Sequence, residues 1–218
     1  MGGIDGALIA YDWASYELVA TTREAVQGLL GCLYRVPGHG WQLSFPDWAM
    51  PDVVAHWPEV TRGYEVFHIC TPGTYQPPPV PGADIVQLSP ALVEQCAFEL
   101  EVVKSLSGLS LRPSAMRTGV PAIYGAIVDG QIVSLADGSA MSDQVAIVQQ
   151  VYTIPGYRRR GLATAVVARL TEALFALGLV CAYAASTANQ PSLALCRSLG
   201  YKPMATFGVA EYEDGGAV

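Results

Sequence analysis

Hydrophobic and polar positions alternate with two different periods in the second half of the chain. Residues 144–154 and 179–187 are β-rich apolar runs of strand length, and the second is apolar enough to lie in a parallel pair buried on both faces. Between them, apolar residues recur at helical spacing and would share one face: Leu162, Val166, Leu170, Ala173, Leu174 and Leu177. Gly178 supplies the C-terminal stop of that helix. The pattern predicts a strand, a helix and a second strand.

Further elements flank this unit. Residues 122–138 contain two β-rich runs around Asp129-Gly130, a pair typical of the type I′ turn of a hairpin. Residues 83–89 read as a strand, and residues 89–106 as a helical region with Ser89 as its cap. After Gly178 and the following strand, we predict a short helix in residues 189–200 and one or two strands in residues 201–213.

The first part of the chain is separated from this pattern by a proline-rich stretch. Residues 72–83 cannot form a helix and favour an extended, semi-rigid linker. Before them, residues 6–12 and 64–70 read as strands, and residues 22–34 as a helix with Thr22 as its N-cap. We therefore predict a small αβ subdomain over residues 1–71, a linker over 72–83 and a second domain over 84–218.

Composition narrows the classes of function. The chain has 218 residues, 51% hydrophobic and 14% charged, so it can bury a full core. Its net charge of −7 disfavours nucleic-acid binding and favours a cationic small molecule or basic peptide as partner. The five cysteines show neither metal-ligand spacing nor a disulfide framework, so we expect reduced thiols and no metal.

Location follows from what the sequence lacks. No basic residue precedes Arg23, so we expect no signal peptide. The longest uncharged stretch, residues 173–196, is interrupted by Gly178 and Pro191, so we expect no membrane span. The expectation is a cytoplasmic protein, and a homodimer remains open.

A cluster of positive charge stands out in this acidic chain. Residues 156–165, GYRRRGLATA, place three arginines and Gly161 between a strand and a helix. Backbone N–H groups at a helix N-terminus attract anions, and Gly161 and Ala163 would allow a phosphate to approach the backbone. The stretch lacks both the phosphate-loop pattern and the three-glycine dinucleotide pattern. A solvated turn is the simpler interpretation of these residues alone.

The chain resembles the GNAT (GCN5-related) N-acetyltransferase superfamily over about residues 83–218. RRRGLA fits the pattern [QR]-x-x-G-x-[GA], with Arg158, Gly161 and Ala163 at the diagnostic positions. NQPSLALCRSLGY resembles the second signature, with Asn189, Leu195 and Gly200 matching. The implied fold is α/β (α+β): a central mixed, mostly antiparallel sheet flanked by helices, here with an additional N-terminal αβ subdomain.

The resemblance also implies a ligand and its contacts. The ligand is acetyl-CoA or another acyl-CoA, which would donate its acyl group directly to the amine of a small molecule or peptide. Its pyrophosphate would bind the backbone amides from Arg158 to Thr164, which include Arg159, Arg160, Gly161, Leu162 and Ala163. A bulge near Val151, Tyr152 and Thr153 would pair with pantetheine, and Asn189 would hydrogen-bond the same arm unless it only caps its helix.

Two catalytic positions depart from the family pattern. The tyrosine that commonly protonates the departing thiolate falls on Cys196, which is either a proton donor or a buried apolar filler. The strand that commonly carries the base has Gln149 and Gln150 instead, and Asp143 is the nearest carboxylate. Other base candidates are Tyr183, Glu211 and Glu213. The acceptor site would be walled by residues 105–121, the last strands and the N-terminal segment. There, Trp41, Trp48 and Trp57 would form either an aromatic pocket or, as is more common for tryptophans in a small segment, part of the core.

Two alternatives stay open beside the N-acetyltransferase. The first is a non-catalytic acyl-CoA sensor or regulatory module, since the usual acid and base residues are both absent. The second is a nucleotide pocket of another αβ protein, which leaves the match from Asn189 to Tyr201 unexplained.

Overall fold

The computed structural model describes residues 5–10, 15–33, 40–79, 83–89, 91–92 and 123–212. They divide between two compact units. Unit 1 comprises Met1–Phe67, Ser186–Ala188 and Ala205–Val218, and unit 2 comprises His68–Ala185 and Asn189–Met204. Among the residues described, no helix is long and apolar enough to cross a membrane.

The elements follow each other in this order along the chain: β1 (Gly6–Ala10), β2 (Ser15–Ala20), α1 (Arg23–Leu30), β3 (Trp41–Pro46), a 3₁₀ turn (Asp47–Ala49), α2 (Met50–His56), β4 (Thr61–Cys70), β5 (Asp84–Gln87), β6 (Ile123–Val128), β7 (Gln131–Ala140), β8 (Val145–Thr153), a 3₁₀ turn (Pro155–Tyr157), α3 (Leu162–Ala176), β9 (Val180–Ser186), α4 (Gln190–Ser198) and β10 (Lys202–Tyr212).

Unit 1 is a small αβ unit with its own core. Strand β1 pairs antiparallel with β2, β2 parallel with β3, and β3 antiparallel with the last residues of β10. The Thr22 hydroxyl accepts a hydrogen bond from the Ala25 amide at 3.2 Å, which confirms the predicted N-cap of α1. Strands β2 and β3 and helix α2 were missed in the sequence because they are short and interrupted by polar residues.

Trp41, Trp48 and Trp57 do not form an aromatic pocket. Trp41 and Trp57 are only 5% and 4% exposed, and their ring centroids lie 4.8 Å apart within the core of the unit. Trp48 lies at the surface. Because the two buried rings pack on each other, they fill space rather than enclose it.

Unit 2 contains the strand, helix and strand predicted from periodicity. Strands β5 to β8 pair antiparallel in succession, and β9 pairs parallel with β8. Asp129 and Gly130 have φ angles of 50° and 75°, as a type I′ turn between β6 and β7 requires. The mixed, mostly antiparallel α/β arrangement is therefore confirmed.

Helix α3 packs on β6, β7 and β8 through a wider face than the predicted one. Ala165, Val167 and Thr171 are buried together with the predicted leucines, because sheet and helix neighbours cover more than one side. Leu177 was wrongly placed on that face: it follows the last helical residue and is 50% exposed.

The first part of the predicted linker belongs to unit 2 and is hydrogen-bonded to other residues of that unit. The Gln76 amide donates to the Leu199 carbonyl at 3.0 Å, and the Tyr75 hydroxyl donates to the Glu172 carboxylate at 3.0 Å. The compact units divide between Phe67 and His68, which lies within β4 and before the predicted linker.

Candidate functional site

Strands β8 and β9 separate at one end, and this opens the site in unit 2. Their parallel register runs from Val145 opposite Val180 to Val148 opposite Tyr183, whereas β8 continues to Thr153. On its other side, β8 carries a bulge. Gln149 faces Asp137 and Tyr152 faces Leu135, so two residues of β8 face one residue of β7.

The bulge consists of Gln150 and Val151, starting one residue before the predicted range. Gln150 has a φ of 52°, in the left-handed region that side chains other than glycine seldom adopt. Such an irregularity turns main-chain groups away from the neighbouring strand. It therefore makes strand edge available beside the gap between β8 and β9.

The arginine loop, residues 154–161, connects β8 to α3. Gly161, with a φ of 77°, is the N-cap of α3 and has no side chain to bond the first amides. The first hydrogen bond of the helix runs from the Ala165 amide to the Gly161 carbonyl at 3.0 Å. The amides of Leu162, Ala163 and Thr164 lie before it, and at this position in a helix they are available to an anion.

The three arginine side chains differ in their contacts. The Arg158 guanidinium donates to the Thr153 carbonyl at 3.0 Å, and the Arg160 guanidinium donates to the Gly156 carbonyl at 3.0 Å. Arg160 also lies over the Tyr157 ring, 5.0 Å from its centroid. Arg159 has a φ of 61° and an exposed side chain. Two of the three side chains thus brace the loop.

These parts surround a cavity of about 720 Å³. Its lining contains every predicted acyl-CoA contact except Arg160. The lining residues are Val151, Tyr152, Thr153, Tyr157, Arg158, Arg159, Gly161, Leu162, Ala163, Thr164, Tyr183, Asn189, Pro191, Ser192, Ala194, Leu195 and Ser198. The cavity therefore joins a strand edge, a helix N-terminus and two cationic side chains.

Helix α4 contributes its exposed face. The Asn189 side-chain oxygen accepts a hydrogen bond from the Ser192 amide at 3.2 Å, so Asn189 is the N-cap of α4. Since this bond uses the amide oxygen, the side-chain NH₂ group of Asn189 remains a potential donor toward the cavity. The capping role and a ligand contact are compatible.

Cys196 does not reach the cavity. It is fully buried in the core of unit 2, where its thiol donates to the Leu193 carbonyl at 3.3 Å. Burial raises the pKa of this thiol, with a smaller opposing effect from Arg197. The position of Cys196 therefore does not support the suggested role of proton donor and agrees with that of a buried filler, because its helix position faces the core rather than the gap between strands.

Asp143 is also remote from the cavity. It lies in the exposed turn before Val145 and is not among the residues that line the cavity. The strand residues from Val145 to Val148 lie between Asp143 and the level of Tyr183, the lining residue that is paired with Val148. The position of Asp143 therefore does not support its suggested role as a base.

The remaining base candidates have other environments. Burial raises the pKa of Tyr183, so at neutral pH this phenol is protonated and cannot act as a base. Gln149, which stands on the strand where the family commonly carries its base, donates a hydrogen bond from its side chain to the Ser139 hydroxyl at 2.9 Å. Glu211 belongs to unit 1, where it accepts a hydrogen bond from Gln42 at 3.2 Å. Glu213 and residues 105–121 lie outside the described residues.

Glu65, in unit 1, is a carboxyl group whose surroundings change its pKa. The pKa of Glu65 is raised, mainly by burial and further by the nearby charge of Glu211. The pair lies on β4 and β10 within unit 1.

Several lining residues were missed in the sequence. Pro191, Ala194, Leu195 and Ser198 follow helical spacing on α4, opposite the buried Leu193. The helical spacing of these residues could have been read from the sequence. The contact between the hydroxyls of Tyr183 and Ser192, at 2.7 Å, could not have been predicted from local sequence, because it joins residues of two different elements, a strand and a helix.

Comparison with known proteins matches this arrangement to a family. The family model described as GNAT acetyltransferase matches residues 123–209, which contain β8, the arginine loop, α3 and α4. Over residues 123–209 the chain is therefore similar to the GNAT acetyltransferase family. No curated protein matches the chain in sequence.

Solved GNAT structures share the fold. A GCN5-related N-acetyltransferase-like protein from Streptococcus suis is 22% identical, with a TM-score of 0.65 over 97% of this chain and 85% of its own. A GCN5-related N-acetyltransferase from Kribbella flavida is 18% identical, with a TM-score of 0.61 over 98% and 89%. A tandem GNAT protein from the clavulanic acid biosynthesis pathway is 17% identical, with a TM-score of 0.55 over 98% and 80%.

Proposed function

We propose that the protein is an N-acetyltransferase that moves an acetyl group from acetyl-CoA directly to an amine. One observation carries the proposal: the free amides at the start of α3 line the same cavity as the bulged strand β8 and Asn189. An anionic group can bind at the helix N-terminus while an extended arm lies along the strand edge. Acetyl-CoA has both parts.

The residues present fit this substrate in detail. An added side chain at Gly161 would meet no protein atom within 4 Å, so this side of the backbone is open. Arg158 and Arg159 add positive charge beside the amides of Leu162, Ala163 and Thr164. Val151 to Thr153 present an extended chain to the pantetheine arm, whose amide groups would pair with it as a further strand does.

The acceptor is proposed to be a cationic small molecule or a basic peptide. The net charge of −7 attracts such molecules at low ionic strength. A cytoplasmic location belongs to the same proposal, and it is supported by free thiols at Cys32, Cys70, Cys181 and Cys196. Homodimerisation stays a prediction.

A second function is favoured by a different observation. No carboxylate, histidine or thiol is found among the described residues that line the cavity. A protein that binds acyl-CoA without transferring its acyl group, as a sensor or regulatory module, would need none of these groups. The two functions share the binding site and differ only in turnover.

One experiment separates the two functions. Acetyl-CoA affinity is measured by calorimetry, and release of free thiol is followed with a panel of amines, amino acids and basic peptides. Binding together with amine-dependent thiol release supports the transferase. Binding without release for any amine supports the sensor, and absence of binding contradicts both.

A further inference from the structure

The cavity has an exposed end and a buried end. Arg158, Arg159 and Gly161 are exposed and form the end where α3 begins. Tyr183 also lines the cavity, yet it is only 2% exposed, and it stands at the last position where β8 and β9 are paired. Tyr183 therefore belongs to the buried end of the cavity, and the arginine loop belongs to its exposed end.

A pair of hydroxyl groups occupies the buried end. The Tyr183 hydroxyl from β9 and the Ser192 hydroxyl from α4 lie 2.7 Å apart, and either can be the donor. With Ser192 as the donor, the phenolic hydrogen of Tyr183 is available to a ligand. A hydroxyl that accepts one hydrogen bond also becomes a better donor in the next.

The proposed function fixes which part of the substrate reaches this pair. With the pyrophosphate on the amides of Leu162, Ala163 and Thr164, the pantetheine arm extends along Val151 to Thr153. Its far end carries the thioester. The sulfur atom is thereby directed to the buried end of the cavity.

The other two tyrosines that line the cavity, Tyr152 and Tyr157, have different surroundings. Tyr157 lies at the exposed end beneath Arg160. Tyr152 faces Leu135 across the strand pair, and the Arg158 guanidinium lies 5.9 Å from the centroid of its ring. Tyr183 is the lining tyrosine that combines deep burial with a hydroxyl partner.

We propose that the Tyr183 hydroxyl, oriented by Ser192, donates a hydrogen bond to the thioester sulfur and stabilises the negative charge that develops there. This inference rests on the proposed function and names a catalytic residue for it. Tyr183 takes the place that Cys196 cannot fill from the core.

The chemistry balances without transfer of the phenolic proton. The amine nitrogen bonds to the carbonyl carbon, the carbon–sulfur bond breaks, and its electron pair goes to sulfur. The surplus proton on nitrogen passes to solvent, and the thiolate takes a proton from solvent, which gives an amide and a free thiol. An ordinary thiol has a pKa of about 8.5. Because the pKa of Tyr183 is raised, the phenol keeps its proton and acts through the hydrogen bond alone.

The test compares two ligands that differ only in the sulfur atom. CoA carries the thiol, and desulfo-CoA lacks it. For the wild type, we expect CoA to bind about three- to tenfold more tightly, as one hydrogen bond would give. In Tyr183→Phe the two affinities should become nearly equal. Calorimetry measures both ligands with both proteins, so the result does not depend on turnover.

Kinetics provide the second readout. Tyr183→Phe should lower kcat about ten- to a hundredfold, the range for a hydrogen bond to a charged group, with KM for acetyl-CoA changed by less than about twofold. Ser192→Ala retains the phenol without its partner, and we expect a smaller loss in kcat and in the preference for CoA. If Tyr183→Phe does not fold, Ser192→Ala is the variant that tests the inference.

Tyr201→Phe is the matched control. Its ring contacts Tyr183 at a centroid distance of 5.8 Å, but its hydroxyl contacts the Thr171 hydroxyl in the core at 2.7 Å, outside the cavity. It should lose stability and keep both kcat and the preference for CoA. An unchanged preference and kcat in Tyr183→Phe, or in Ser192→Ala if that is the folded variant, would overturn the inference while leaving the proposed function intact. If the wild type binds neither ligand, the proposed function fails and the inference fails with it.

Discussion

Gly161 is the residue at which the arginine loop becomes helix α3. Its φ of 77° is strained for any side chain, and the space beside it is open toward the cavity. Gly178 provides a matched position at the other end of α3, with a φ of 78° and equally open surroundings, but outside the cavity lining. A comparison of substitutions at the two glycines therefore distinguishes the effect of backbone strain from the effect of a lost ligand contact.

We predict that Gly161→Val and Gly178→Val each cost about 1–3 kcal/mol of stability, because both place a branched residue in the left-handed region. Only Gly161→Val should lose acetyl-CoA affinity, by at least about tenfold, since its side chain occupies the phosphate position. Thermal unfolding and calorimetry measure the two effects. Equal affinities for the two variants would contradict the assignment of the loop.

The arginines of the loop differ in what their removal should do. Arg159→Ala should weaken acetyl-CoA binding about two- to fivefold at low salt and less at high salt, because exposed ionic contacts are weak and screened. Arg160→Ala should leave affinity nearly unchanged, since its guanidinium is bonded to the Gly156 carbonyl and lies outside the lining. Titrations at two salt concentrations test this. A larger loss from Arg160→Ala than from Arg159→Ala would mean that the bracing of the loop, rather than its charge, controls binding.

Helix α4 depends on Asn189 both for its start and for its place at the cavity. Asn189→Ser retains an N-cap oxygen and removes the amide donor, whereas Asn189→Ala removes both. We expect Asn189→Ser to keep thermal stability and to bind acetyl-CoA about two- to tenfold more weakly. Asn189→Ala should in addition lose about 1 kcal/mol of stability. Wild-type affinity in Asn189→Ser would show that Asn189 acts only as a cap.

At the scale of elements, prediction from sequence succeeded where local chemistry decides the conformation. The Asp129-Gly130 turn and the Thr22 cap depend on a few adjacent residues, and both occur as predicted. Strands β2 and β3 were not predicted, because they are short and interrupted by polar residues. The helical period of α4 was present in the sequence, but which of its faces lines the cavity depends on neighbours that are distant in sequence.

At the scale of the whole molecule, pH should alter stability through Glu65. Its pKa is raised above the ordinary 4.5, mainly by burial, so the folded protein binds this proton more tightly than the unfolded chain. The resulting stabilisation is complete below pH 4.5 and is lost as pH rises through the higher pKa of the folded state. We predict that Glu65→Gln is more stable than the wild type at neutral pH and that the difference shrinks toward pH 4.5.

Urea unfolding at a series of pH values measures this effect. Glu211→Gln is the companion variant: it removes the smaller of the two causes, the nearby charge, and leaves Glu65 buried. It should therefore flatten the pH dependence less than Glu65→Gln does. A pH dependence in Glu65→Gln equal to that of the wild type would exclude Glu65 as its source.

The sequence by itself determined the order of strand, arginine loop, helix and strand, and with it the resemblance to the GNAT acetyltransferases and the candidate anion site at one end of the cavity. Those features depend on contiguous residues, because a glycine, a run of arginines and helical spacing act within one or two turns of chain. Only the tertiary structure decided which side chains meet at the buried end. In the folded protein, Cys196 lies in the core, Asp143 lies before the far end of β8, and the hydroxyls of Tyr183 and Ser192 are in contact. The physical reason is that a side chain's direction depends on what its strand or helix packs against, and that partner is distant in the sequence.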